Sequence, residues 1–503
     1  MLRARAHSPH VGRALAAFTA SLLIASGGPG AGAAGRREST EPHTERLHAA
    51  VTAADLEAVR RALDDGTDVE ARDRRGMTAL ARAAGNGNAD LVALLLARGA
   101  AVDGATANGR TALMLAAGSA DPATVERLLA AGARVDSRTR DEKTALHFAA
   151  AAPRVTALSL LLAAGADVDA RTHDGQTALH VAADLGRVEQ IQALVAAGAD
   201  VEAADAAGQT PLLRTVLRAE PIAARALLAL GARADTRTGE GWTPLMYAAR
   251  SGRAEILELL LVAGADADAR SRDGVSALDA AVRSDQPDTL RVLATRCRAK
   301  AFGACDLRTP LLTAVVTAKP RAAAALVGLG APADARDRDG TPVLSLVAQR
   351  GNATLTRALL AGGADPDARD ASGETALHHA AEHDRVSVIG ALLRAGVDVD
   401  SRIVHAQRRS DWTPLMVASL RGHGAVIDRL LAAGADVDRR NEHGRTALLL
   451  AAWHGRTEAV ERLVRAGADR TLHDWVGLTP AIAANLAGHT VLKRYLRPQQ
   501  SGH

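Results

Sequence analysis

Two histidines of this 503-residue chain, His379 and His383, are spaced four residues apart. On a helix that spacing sets both imidazoles on one face, where they can share a metal ion. No HExxH pattern surrounds them, and no metal ligand is assigned. Asp365, Asp367 and Asp370 faintly resemble a calcium loop, but the glycine and glutamate spacing of such a loop is missing. Cys297 and Cys305 are the only cysteines. Such a pair can close into a disulfide under oxidising conditions or remain as two free, partly buried thiols. With no further Cys or His beside them, zinc is not expected. The chain has no GxSxG elbow, no GxxxxGK phosphate loop and no CxxC pair. No catalytic residue and no cofactor are therefore expected, and the chain reads as a non-enzyme.

The elements that would position any site follow from a period of 33 residues. The motif Thr-Ala/Pro-Leu begins at Thr78, Thr111, Thr144, Thr177, Thr210 and Thr243, then as Ser276 and Thr309. The phase runs through Pro342 to Thr375, jumps by 38 to Thr413, and resumes at Thr446 and Thr479. Glycines keep the same beat, among them Gly66, Gly99, Gly165, Gly198, Gly363 and Gly434. Self-similarity of this period means a stacked array.

Residues 175–207 predict one unit. Thr177 is a good helix N-cap, and sister units place Pro at the first helical position (Pro211, Pro244, Pro310, Pro414, Pro480). The spacing predicts a first helix of about nine residues with an apolar stripe of Leu179, Ala182 and Ala183. Gly186 turns the chain, and a second helix buries Val188, Ile191, Leu194 and Val195. Gly198 ends it in the left-handed region. One such unit cannot bury its own apolar face, so neighbours must stack. Hydrophobic content of 48% with only 2% aromatics fits thin layers of Ala, Leu and Val.

Thr-Ala-Leu-His at Thr144–His147, Thr177–His180 and Thr375–His378, with Gly-Ala-Asp at Gly165–Asp167, Gly198–Asp200, Gly363–Asp365 and Gly434–Asp436, resembles the ankyrin repeat. The resemblance covers residues 40–498 in about 14 units, near 40–72, 73–105, 106–138, 139–171, 172–204, 205–237, 238–270, 271–303, 304–336, 337–369, 370–402, 403–440, 441–473 and 474–498. It implies an all-α solenoid of helix-turn-helix units with β-hairpin-like fingers. It also implies protein binding through finger tips and the concave face of the first helices.

Within that frame Trp242 and Trp412 directly precede the capping Thr, at the base of a finger. Trp453 ends a first helix, and Trp475 lies at a finger tip. None occupies a repeated core position, and Trp is enriched at interface hot spots. The expected partner-binding patch centres on Trp412, Trp453, His454 and Arg445. The alternative is that a Trp before the Thr packs on the adjacent finger. The five-residue excess falls in the finger Ser401–Trp412, which carries Arg402, His405, Arg408 and Arg409. It is either a basic finger that touches an acidic partner or a tolerated insertion. Residues 297–345 break the pattern most: Cys297 takes a glycine slot, Leu307 replaces a turn glycine, and Pro342 replaces the capping Thr. This stretch reads as a weaker or bent part of the stack, or as ordinary drift.

The N-terminus differs. Residues 1–13 hold three Arg and no acid, residues 14–25 are apolar, and Ala31-Gly32-Ala33 fits a small-residue cleavage site. The pattern is that of a signal peptide over 1–33, followed by a short linker over 34–39. A disordered basic tail is the alternative. The apolar run is too short to span a bilayer. The expected location is periplasmic or extracellular. Residues 499–503 are expected to be a disordered tail. Formal charge is +4, and the leader holds three of the arginines. A near-neutral remainder with only four Lys excludes general nucleic-acid binding, which needs a basic stripe. A monomeric exported scaffold for a protein partner is the expectation. The alternatives are an exported effector acting on proteins of another organism and an enzyme with a concave-face site. The abundance of Arg reads as coding bias.

Overall fold

The structure, a computed structural model, describes residues 41–119, 121–298, 306–404 and 410–497. The expected leader, linker and tail lie outside them, as do Cys305, His405, Arg408, Arg409 and the Cys297 side chain. The described residues form 28 α-helices in successive pairs, numbered α1–α28 in chain order, and no strand. The chain divides into two compact units, residues 1–134 and 135–503. The first holds three pairs, α1 (Glu41–Thr52) through α6 (Pro122–Ala130). The second holds eleven, α7 (Ala145–Ala151) through α28 (Thr490–Leu496). The β-hairpin-like fingers reduce to turns, with single antiparallel bridges at Arg336–Pro342 and Arg369–Thr375.

Local chemistry starts each pair. The Leu449 N–H donates to Thr446 Oγ1 at 3.3 Å, and Thr78, Thr210, Thr243, Thr413 and Thr479 cap in the same way. Thr446→Ala should cost about 1 kcal/mol, read as a lowered urea midpoint with an unchanged slope. Where the motif continues with His, the ring takes part. Nδ1 of His147, His180 and His378 accepts the N–H of Thr144, Thr177 and Thr375 at 3.2, 3.1 and 3.3 Å. Nε2 donates to a carbonyl of the next finger: Gln176, Gln209 and Trp412, at 3.1, 3.0 and 3.1 Å. This arrangement requires the neutral imidazole. Burial lowers His147 and His378 to about 4, against the hydrogen bonds to Gln176 and Trp412, which raise them. His180 is lowered by the same cause.

First helices pack on first helices and second on second, as α13 (Pro244–Ser251) on α15 (Ala277–Arg283) and α18 (Pro320–Gly328) on α20 (Ala353–Ala361) show. In α9 (Ala178–Asp184), Leu179, Ala182 and Ala183 are fully buried, as predicted. In α10 (Val188–Ala196), Ile191 and Leu194 are buried, but Val188 and Val195 are only half-buried. The third buried position is Gln190, whose amide N–H donates to the Ala152 carbonyl at 2.8 Å. A polar side chain enters this layer because its donor finds a backbone acceptor there.

Several arginines have a structural task. Nη1 of Arg171 donates to the carbonyls of Gly175 and Ala204 at 3.3 and 2.8 Å. Arg72, Arg237, Arg336 and Arg369 make the same pair of bonds, joining each finger turn to the next. The aspartate after Gly-Ala serves similarly. Its N–H donates to an acid 31 residues earlier, as Asp167 to Asp136 Oδ1 and Asp200 to Asp169 Oδ1.

The described parts of the irregular stretch keep the helix pairs by local substitutions. With Cys297 in the glycine slot, α16 runs on to Arg298 (Pro287–Arg298). α17 (Arg308–Val316) starts before Thr309, and Asp306 accepts from the Arg308 N–H and the Thr309 hydroxyl, each at 2.8 Å. Ala318 takes the left-handed turn that glycine fills elsewhere, at φ +56°, and Pro320 opens α18. α19 (Val343–Arg350) begins after Pro342 with no side-chain cap.

Candidate partner-binding surface

Within the second unit, α23 (Pro414–Arg421), α25 (Ala447–Trp453) and α27 (Pro480–Leu486) are successive first helices, each in contact with the next. Residues 447–452 of α25 are all buried. Trp453 is the next residue, beyond that stripe, and is 39% exposed. In the 33-residue frame its neighbours are Leu420, half-buried, and Leu486, exposed. Sister units carry Asp184, Arg250, Arg283 and Glu382 at this register. An apolar row thus runs along the ends of three successive helices where these four units present charge; Leu217 and Val316 are apolar at the same register in two others.

The adjoining fingers supply the polar edge. Arg445 Nε donates to Asp474 Oδ2 at 3.2 Å, and its guanidinium carbon lies 6.0 Å from the Trp453 ring centroid. That distance is the outer range of a cation–π contact. Asp474 is buried and accepts the N–H of Leu478 and Val476 at 2.9 and 3.1 Å. Burial works to raise its carboxyl. The Leu478 amide, the Arg445 guanidinium and the Val476 amide together outweigh that and hold it below its ordinary value. Asp474 is therefore an ionised anchor for Arg445.

Trp475 follows it, 62% exposed, with Val476 at 85%. The indole is held in place: Nε1–H donates to the Glu442 carbonyl at 2.7 Å, and the Arg440 guanidinium lies 5.3 Å from the ring. Gly444, at φ +76°, passes under it; a Cβ there would meet the ring at 2.7 Å. A glycine is needed for both the turn and the close approach. His454 is exposed beside Trp453, with Nδ1–H donating to the Leu450 carbonyl at 2.9 Å.

Arg445 thus links Trp453 and its neighbour His454 to Asp474, which precedes Trp475, and Val476 and Leu486 are further exposed apolar residues of the last unit. Those two were missed. Val476 had a signal in the sequence, since nearly all sister units are polar at its register; Leu486 had none, since Leu217, Val316 and Leu420 are apolar at its own. Trp412 is a correction: it is 7% exposed and belongs to the core. Its carbonyl accepts the Ile403 N–H at 2.9 Å and the His378 ring at 3.1 Å, and Ile403 is fully buried. Ile403 and Trp412 are thus joined and buried together, which takes Trp412 out of the expected contact surface. Trp242 lies in another repeat and packs on Tyr247 and Arg250, at 5.2 Å from each. Arg408 and Arg409 fall outside the described residues.

The candidate metal residues are also redistributed. His383 Nδ1–H donates to the His379 carbonyl at 3.0 Å, an intrahelical bond that does not pair the two rings. Asp365 and Asp367 do not form a calcium loop with Asp370. The Asp365 N–H donates to Asp334 Oδ1 at 2.7 Å and the Asp367 N–H to Asp365 Oδ1 at 3.0 Å. Asp370 turns instead to His379. No helix among the described residues is long and apolar enough to cross a membrane.

A family model of ankyrin repeats, built as three copies, matches the chain over residues 47–139, 113–205, 198–270, 220–303, 311–403 and 399–474. No curated protein matches it.

Proposed function

The chain belongs to the ankyrin repeat family, and from that premise we propose that it is an exported, non-enzymatic scaffold whose last repeats hold a protein partner. Ankyrin repeats are protein-interaction modules, so binding is the general role. The observation that carries the finer reading is the concentration of exposed apolar side chains at Trp453, Trp475, Val476 and Leu486. Exposed apolar and aromatic side chains with an arginine among them have the composition of an interface hot spot. Residues 441–497 carry eight Lys and Arg against five Asp and Glu. The matching partner presents an apolar segment flanked by carboxylates. Export rests on the leader pattern of residues 1–33.

Trp453→Ala should leave the far-ultraviolet circular dichroism and the melting temperature nearly unchanged. It should weaken the complex by ~2 kcal/mol, roughly 30-fold. The measurement is an affinity capture from the cell envelope with the mature chain, residues 34–503, run in parallel with the variant. Equal recovery of the same partner by both proteins would remove the patch from the interface. Cell fractionation with N-terminal sequencing of the mature protein tests export; an intact Met1 on cytosolic protein would refute it.

A further inference from the structure

Trp242, Tyr247 and Arg250 meet in one unit, and no other unit repeats the set. In the 33-residue frame the residue before the capping Thr is Gln in two sister units, Gln176 and Gln209. The register of Tyr247 has Phe148 as its only other Phe, Tyr or Trp, and that unit has Lys143 for Trp242 and Ala151 for Arg250. Trp242 stands at the base of its finger, and Tyr247 and Arg250 lie one turn apart on α13. The two ring centroids are 5.2 Å apart, with the ring planes at 53°. The Arg250 guanidinium carbon lies 5.2 Å from the Trp242 centroid and 5.5 Å from that of Tyr247, within cation–π range of both at once. The rings are half-buried, and Arg250 is exposed.

Elsewhere at the register of Arg250 charge is matched within the stack. Asp184 accepts from Arg214 and Arg218, 30 and 34 residues on, and Glu382 accepts from Arg421 at 2.6 Å. The corresponding positions for Arg250 are Ala280 and Ser284, which carry no charge. The next residue at this register is Arg283 on α15, also exposed. Since α13 packs on α15, two arginines stand in adjacent layers. Among the described residues neither has an ion pair. Neither bonds to a carbonyl of its own helix, as Arg350 does to Leu346 at 2.9 Å. The acids beside them on the chain are engaged. Asp279 accepts the Ser276 N–H and hydroxyl at 3.0 and 2.8 Å, and Asp285 accepts the Ala322 N–H at 2.7 Å.

A free arginine gives up rotamer freedom when it binds. Stacking on two rings removes much of that cost in advance, while the edge of the guanidinium still donates. That edge matches a carboxylate through two parallel N–H···O bonds. Adjacent helix layers are ~8–10 Å apart, a span that about three residues of extended chain cover. Glu240 and Asp273, in the adjoining finger turns, pair with neither arginine and would repel a continuous phosphate backbone. This favours separate carboxylates over a nucleic acid.

We propose that Arg250, preset by Trp242 and Tyr247, and Arg283 bind an acidic peptide segment of a protein partner, one carboxylate on each guanidinium. The site lies in other repeats than Trp453 and does not depend on the surface there. The test is fluorescence anisotropy of labelled hexaglutamate titrated with the whole chain, beside hexaglutamine and hexathymidylate. Wild type should bind hexaglutamate and not hexaglutamine. Arg250→Gln and Arg283→Gln should each weaken binding at least ~10-fold. Trp242→Gln installs the residue of two sister units, is expected to fold, and should weaken binding ~3-fold or more with the charge unchanged. Circular dichroism checks the fold of each variant. Trp453→Ala should bind the probe as wild type does, so this site and the surface at Trp453 can fail separately. Equal affinity of wild type and Arg250→Gln would overturn the proposal. So would Trp242→Gln binding as tightly as wild type, no measurable binding of hexaglutamate, or tighter binding of hexathymidylate.

Discussion

Acidification from pH 7 to pH 4 should remove roughly 6 kcal/mol of stability from the unit spanning residues 135–503, through two buried histidines alone. His147 and His378 are lowered to about 4, burial being the main cause, while the unfolded chain titrates near 6.5. Between those values the unfolded state holds the extra proton, so stability is full above pH 6.5 and falls across the window down to pH 4. Each ring contributes about 3 kcal/mol at the acid end. The structural reason is that Nδ1 accepts an N–H from the capping Thr, and a protonated ring has no acceptor. His180, lowered for the same reason, adds in the same direction. Asp367 and Asp400, raised by burial, oppose the trend at the acid end. Urea unfolding at pH 7.5, 5.5 and 4.5 would read the effect. The double variant His147→Gln, His378→Gln should be less stable at pH 7.5 and should lose less on acidification. An acid slope as steep in the double variant as in wild type would rule the histidines out as its source.

Leu179→Ala should cost 2–5 kcal/mol, the range for truncating a leucine that its neighbours cannot follow into the gap. Leu179 is fully buried in α9, which touches α7 on one side and α11 (Pro211–Arg218) on the other. Leu185, the residue just past the end of α9, is exposed. Its replacement by Ala should stay within about 0.5 kcal/mol. In a stack, stability is a sum of unit and nearest-neighbour terms. The loss at Leu179 should therefore be regional. Amide hydrogen exchange should quicken in α7–α11 before it quickens in α25–α27. Uniform acceleration through the whole unit would mean that the stack unfolds as one body and that the nearest-neighbour description fails.

These two expectations differ in how far the sequence supports them. Leu179 was readable as core, because its spacing with Ala182 and Ala183 is a property of one helix. The motif histidines were readable as part of the repeat, but their depressed titration was not. It comes from burial between stacked layers, which outweighs the hydrogen bond to a carbonyl 29 residues away, Gln176 for His147 and Gln209 for His180, that raises the value. Trp412 was misplaced for a related reason. Its position before the Thr is the same as that of half-buried Trp242, yet the longer finger folds Ile403 and Trp412 together and buries both.

The candidate surface divides in the same way. Trp453 and Trp475 were visible as aromatics at variable positions. Leu486 became part of the patch only when adjacent first helices were seen to align their ends. The pairing of His379 with Asp370 was hidden behind a more familiar pattern, two histidines four apart on one helix.

The sequence by itself determined the period, the helix pairs, the caps and turns, and the apolar stripe of the first helix. These depend on interactions within a few residues, which composition and spacing report directly. Only the tertiary structure decided which polar groups meet: the arginine bridges between finger turns, the buried Trp412, and the pairing of His379 with Asp370. Those contacts depend on the direction of each side chain and on what the neighbouring layer presents to it. A repeat period aligns registers along the stack but leaves the orientation of each side chain open until the layers pack.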